Sequence, residues 1–134
     1  MLIWDFKRRE WVKGFRKDLE RLPQEYTFFW DSVPQNTTNR APQDDKIVDV
    51  ERASSIAVQA DTTPPDNVST SVDINVMASI DGAVWDTVPY AEMNLGDAEV
   101  KTMLVNPGPL KLRFRLDENN IGIAEVYVKV KVRE

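Results

Sequence analysis

The side chains that could do chemistry in this sequence are carboxylates, amides and amines. Asp117-Glu118-Asn119-Asn120 sets four oxygen-bearing side chains in a row, and Asp44-Asp45 sets two. Hard cations such as calcium take oxygen ligands of this kind. A polar turn uses the same residues, and the turn reading is preferred at both places. Lys129, Lys131 and Arg133 recur at every second residue, as do Arg113 and Arg115. These could form one positive face. Lysines on an outer strand also guard a sheet edge against unwanted pairing, and that reading is preferred.

The chain contains no histidine and no cysteine. Ser-His-Asp and Cys-His nucleophilic catalysis therefore have no residues to run on. Disulfides, zinc-thiolate sites and haem ligation through His or Cys are ruled out with them. No enzyme, no cofactor and no metal centre is expected.

The elements that carry these residues divide the chain in two. Trp4, Trp11, Phe15, Leu19 and Leu22 fall at spacings of seven, four, four and three, which makes one helical stripe. The spacing predicts a helix over 5–22, ended by Pro23. Tyr26-Thr27-Phe28-Phe29-Trp30 follows as an uncharged, strongly β-forming segment. Residues 1–30 hold eight of the twelve aromatics. Residues 31–45 are polar with two prolines, which reads as a linker. Residues 1–45 are thus expected to be an arm. Trp4, Trp11, Phe15, Tyr26, Phe28, Phe29 and Trp30 would be its assembly interface, since a large uncovered apolar patch marks a contact. Phe28 and Trp30 would be buried between chains, with the arm adding a strand to a neighbour's sheet.

From residue 46 to 134 the period is two. Val72, Ile74, Val76, Ala78 and Ile80 alternate with Asp73, Asn75, Met77 and Ser79. Leu110, Leu112, Phe114 and Leu116 alternate with Lys111, Arg113 and Arg115. Val126, Val128, Val130 and Val132 close the chain in the same way. One face buried and one wet predicts antiparallel sheets. Several short strands with turn signals between them predict a mostly β chain, a jelly-roll-like sandwich. Asp81-Gly82 is the expected tight hairpin turn, with Val84–Val88 as the returning strand and Trp85 capping the core.

Charge is split between the two parts. The net is −5, made of +3 over residues 1–22 and −8 over the remainder. A basic arm on an acidic body favours attraction between them, in one chain or between copies. Seven scattered positive side chains among four negative ones make a weak phosphate footprint, so nucleic acid is not an expected partner. The start lacks the basic-then-apolar order of a signal peptide, and no apolar run is long enough to span a bilayer.

Ser79-Ile80-Asp81-Gly82-Ala83-Val84-Trp85 resembles the Ser-x-Asp-Gly-x-x-Trp hairpin of discoidin-like and other carbohydrate-binding sandwiches. With Pro107-Gly108-Pro109 and the Leu110-Lys111-Leu112-Arg113-Phe114-Arg115 strand, it also resembles the small β-sandwich virion structural proteins of tailed phages. The likeness covers residues 70–134. It implies the fold more than the function. The missing catalytic residues, the aromatic arm, the linker and the charge split lead to the expectation of a structural subunit such as a capsid decoration or a neck or tail accessory protein, located in the virion. The implied partners are other copies of itself and a capsid protein, with no membrane. In both groups the hairpin (Asp81, Gly82, Trp85) is structural and implies no ligand contact. A carbohydrate-binding module and an extracellular filament subunit are the alternatives.

Overall fold

The computed structural model describes residues 3–5, 10–12, 23–33, 36–64, 71–96, 98–118 and 123–134. All of the described regular structure is β. β1 (Ile3–Asp5) and β2 (Glu10–Val12) pair antiparallel as a separate hairpin. The remaining strands are β3 (Gln24–Val33), β4 (Val48–Asp49), β5 (Ser55–Asp61), β6 (Val72–Ser79), β7 (Ala91–Leu95), β8 (Val100–Val105), β9 (Lys111–Glu118) and β10 (Ile123–Arg133). They form two four-stranded sheets of order β3-β10-β5-β8 and β4-β9-β6-β7, with antiparallel pairing throughout.

The two sheets lie face to face. Phe28 on β3 and Phe114 on β9 come within 4.8 Å, centroid to centroid, and one buried cluster draws on both sheets. Apart from the β6–β7 pair, each of these strands is followed in sequence by a strand of the other sheet, which is jelly-roll winding. The inward residues are the ones that alternation picks out: Ile56 and Val58 on β5, Ile74 and Val76 on β6, Leu112 and Leu116 on β9, and Val126 to Val132 at every second position of β10.

Several expectations are overturned. The helix over 5–22 is absent where the backbone is described: Glu10–Val12 is a strand in which Trp11 pairs with Trp4 in the backbone register. Positions 6–9 and 13–22, including Phe15, lie outside the described residues. A spacing of seven suits one helical stripe, and it also suits opposed positions of a short hairpin. Trp and β-branched residues favour the second.

The segment 26–30 belongs to the sandwich itself. β3 pairs with β10 from Gln24 to Val33, and Phe28, Trp30 and Val33 are buried in this chain's own core. Phe28 and Trp30 were expected between chains; burial in an intrachain core is the stronger use of two large rings. The expected linker is tied down as well. The Trp30 indole N–H donates to the Arg40 carbonyl at 2.9 Å, and Arg40 exchanges two backbone hydrogen bonds with Leu116 on β9. The Glu118 backbone N–H donates to the Thr37 carbonyl, and the Asn36 N–H donates to the buried Glu118 carboxylate at 3.1 Å. A division at residue 45 therefore cuts through one hydrogen-bonded core.

β10 lies between β3 and β5, so its lysines do not guard an edge. Nor do they share a face with Arg113 and Arg115, which stand on the other sheet.

Candidate functional site

β6 and β9 sit side by side in the middle of the second sheet, and their outward residues meet in rows. Asp73 opposes Asp117, Asn75 opposes Arg115, and Met77 opposes Arg113. Two of these outward positions are nonetheless enclosed: Asn75 is 7% exposed and Met77 8%. What covers this face is the loop 80–90 on one side and the strap at 38–39 on the other.

The loop is shaped by short-range polar contacts. The Asp81 carboxylate accepts hydrogen bonds from the Ala83 N–H at 2.9 Å and the Val84 N–H at 3.0 Å. The Ser79 hydroxyl shares its one proton between the Val84 carbonyl at 2.6 Å and the Asp81 carboxylate at 3.1 Å, and it accepts from the Gly82 N–H at 2.8 Å. Gly82 stands at φ +80°, the left-handed region, where a Cβ would also meet the Lys111 side chain at 3.1 Å. These bonds to Val84 and Ala83, followed by the one from Ser79, hold the Asp81 carboxyl below its ordinary value.

The expected tight hairpin is thus a longer excursion. Ile80, Val84 and Val88 point into solvent, at 79%, 76% and 68% exposed, and the returning strand is β7, beginning at Ala91. The Asp81 turn spends its hydrogen bonds on the loop itself, and the loop returns to β6 through the Asp86 N–H to the Ala78 carbonyl and the Tyr90 N–H to the Val76 carbonyl before the ladder begins at Ala91. Trp85 does not cap the core. Its ring lies on the outer face, with the Arg113 guanidinium 4.4 Å from the ring centroid.

A groove of about 530 Å³ results, with Trp85, Met77 and Pro89 giving apolar surface and Asn75, Arg113 and Asp117 giving polar surface. Asp117 is held by the Asn39 N–H at 2.6 Å and by the Asn75 Nδ2 at 2.9 Å. Arg115, next along β9, is taken by Asp45 in a two-pronged ion pair at 2.8 and 3.0 Å. Arg113 has no such carboxylate among the described ion pairs. Burial first, then the Arg115 charge, lower its guanidinium from the usual value. Asn75 Oδ1 and Arg113 Nε are both shielded from water and find no hydrogen-bond partner among the described residues.

No protein family matches this chain, and no curated protein matches it in sequence. Among solved structures it is similar to the SPBc2 prophage-derived protein YomS, with a TM-score of 0.50 and 14% identity over 84% of this chain and 96% of that one. At that identity the likeness is one of fold.

The residues singled out in the sequence fall in different places. Phe28 and Trp30 are core, and Tyr26 packs beside them half-buried. Phe29 faces outward and stacks on Tyr127 of β10 at 4.7 Å. Trp4 and Trp11 are hairpin partners in the backbone register. Of Asp81, Gly82 and Trp85, only Trp85 lines the groove, while Asp81 and Gly82 form the turn before it with Ser79, Ala83 and Val84. Asp44 pairs with Lys46 and Asp45 with Arg115, while Asp117 serves Asn39 and Asn75. Asn119 and Asn120 lie outside the described residues. Among the described residues no group of three or more acidic side chains is arranged to hold a metal ion, and no helix is long and apolar enough to cross a membrane. Asn75, Met77 and Thr38 were not singled out. Their signal is slight: an amide and a thioether in the polar phase of an alternating strand.

Proposed function

We propose that this chain is a non-catalytic structural subunit of a protein assembly, of the kind built into phage virions, where it contacts other copies of itself and a capsid or tail protein. The observation that carries the reading is where its uncovered apolar surface sits. Ile80, Val84 and Val88 project from a single loop, and Val100 and Leu104, at 51% and 80% exposed, project from β8, one of the two edge strands of the first sheet. Scattered exposed aliphatics are ordinary, but clusters on a protruding loop and on an open edge strand are the usual material of contacts between chains. The phage setting is supported by the fold shared with a prophage-derived protein.

On this reading the contact is made by the loop and the edge strand, whereas Phe28 and Trp30 hold the subunit together. Sedimentation velocity of the full-length chain over a concentration series tests it. Association is expected as concentration rises, and a monomer at every concentration, alone and with the isolated virion proteins, would refute it.

A further inference from the structure

We propose that two copies of this chain join through β8, paired antiparallel about a twofold axis with Thr102 opposite its own counterpart. The proposal rests on the assembly reading and adds to it the partner, a second copy, and the register.

The argument begins with the parity of the edge. β8 ends the strand order of the first sheet. In an antiparallel pair, residues that exchange backbone hydrogen bonds alternate with residues that do not. The Thr62 N–H donates to the Glu99 carbonyl at 2.9 Å, one step beyond the Asp61–Val100 pair of the β5–β8 register. The bonded positions of β8 are therefore Lys101, Met103 and Val105, which oppose Ala60, Val58 and Ile56. Val100, Thr102 and Leu104 turn their N–H and C=O groups away from β5, to a side that no strand occupies among the described residues. Val105 is buried and Met103 packs on the core, so Val100, Thr102 and Leu104 point their side chains outward, and all three are exposed. An open edge of this kind is a template for one more strand.

The same parity selects the partner. In a twofold pairing the outward-turned residues must meet one another. Centred on Thr102, the pairing sets Val100 of each copy opposite Leu104 of the other. Every outward backbone group of both strands is then bonded, and each exposed aliphatic covers another. A shift that sets Val100 opposite Thr102 brings the two copies of Lys101 face to face, and like charges directly opposed are unfavourable. A shift the other way sets Val100 opposite Asn106, whose carbonyl is already taken by the Tyr90 hydroxyl at 2.8 Å. The strand is thus complementary to itself in one register.

Charge agrees with that register. A lysine on an edge strand ordinarily keeps other strands away. Lys101 is instead spent within its own chain: its amine donates to the Asn94 carbonyl of β7 at 2.8 Å and pairs with Glu99 at 3.4 Å. In the centred register it opposes Met103 of the second copy. The Tyr90–Asn106 contact also ties the end of β8 to the loop 80–90, the other part of the proposed contact. The pairing joins two four-stranded sheets into one continuous sheet, and it closes as a dimer because each copy uses the same patch. The other edge strand, β3, has its Phe29 carbonyl taken by the Gln43 N–H at 2.8 Å within the chain.

Two sets of variants of the full-length chain test this. Thr102→Pro removes an N–H that faces outward, so the β5 ladder stays whole while the centre of the dimer is lost. Sedimentation should show dimerisation weakened by roughly a hundredfold, with melting close to wild type. Met103→Pro, one step along, removes a bond to β5 and should lower the melting temperature. The second set uses the absence of cysteine, which makes any introduced thiol the only one in the chain. Opposed residues of a bonded pair have Cα atoms about 5.5 Å apart, within disulfide reach, whereas Val100 would stand roughly 14 Å from its own counterpart. With copper-phenanthroline, Thr102→Cys should cross-link to itself. Val100→Cys and Leu104→Cys should cross-link when mixed and not alone, a result that decides the register even if the proline variant fails to fold. A wild type that dimerises while folded Thr102→Pro dimerises equally well would overturn the pairing and leave the assembly reading standing. So would self-cross-linking of Val100→Cys without that of Thr102→Cys. A wild type that stays monomeric alone would also overturn the pairing, and the assembly reading is then decided by its own measurement with the isolated virion proteins.

Discussion

The Trp30 indole N–H reaches the carbonyl of Arg40 at 2.9 Å, and Arg40 in turn is bridged to Leu116 across the second sheet. A ring in the core of the first sheet is thereby fixed to the segment that crosses to the other. This contact makes residues 24–45 part of the sandwich. Removing residues 1–45 should abolish cooperative unfolding, because the deletion takes Phe28, Trp30 and Val33 from the core. Circular dichroism and a thermal melt of the truncated chain check this; a sharp transition would contradict it.

Phe28→Ala should destabilise the sandwich by about 3–5 kcal/mol, the usual cost of emptying a buried aromatic site. Phe28 is fully buried and packs on Phe114 across the two sheets. Urea unfolding measures it. Phe29→Ala, which loses an outward stack on Tyr127, should cost roughly 1 kcal/mol.

Alternation carried most of the fold. Every second residue of β5, β6, β9 and β10 is buried, and those runs were legible because the buried face of a sheet and the period of the chain coincide. Ile80 broke the pattern. It continues the apolar phase of β6 yet stands in solvent, because the strand ends at Ser79, whose hydroxyl starts the Asp81 turn. β7 alternates too, with Met93 and Leu95 buried and Glu92 and Asn94 exposed, but two apolar positions make too short a run to stand out. The groove was harder still. Trp85 and Asn75 are neighbours only through the strand register and the fold-back of the loop, and neither relation leaves a periodic trace.

Asp45→Asn should lower stability by roughly 1–2 kcal/mol. It leaves Arg115, only 10% exposed, without the carboxylate that now grips it at 2.8 and 3.0 Å. Breaking a fully buried pair costs more, but Asp45 is 38% exposed and water screens the pair in part. Replacing both partners should recover part of the loss in a double-mutant cycle.

Acid should loosen the loop 80–90 before it unfolds the sandwich. The Asp81 carboxyl titrates below its unfolded value because it accepts hydrogen bonds from Val84, Ala83 and Ser79. Its contribution is therefore fully present above the ordinary carboxylate value of about 4 and is lost as pH falls through the lower folded value. Hydrogen exchange at the Ala83 and Val84 amides should speed up in that window. Asp81→Asn keeps an acceptor oxygen and should remove the pH dependence; unchanged acid sensitivity in that variant would show that another group is responsible.

The sharpest test of the assembly reading is a sedimentation comparison of the wild-type chain with Ile80→Ser/Val84→Ser/Val88→Ser/Leu104→Ser. All four side chains are at least 68% exposed, so the variant should unfold at nearly the wild-type temperature. The account predicts that the wild type associates and that the variant sediments as a monomer at the same concentration. Association of equal strength in the two chains, with the variant fully folded, would contradict it.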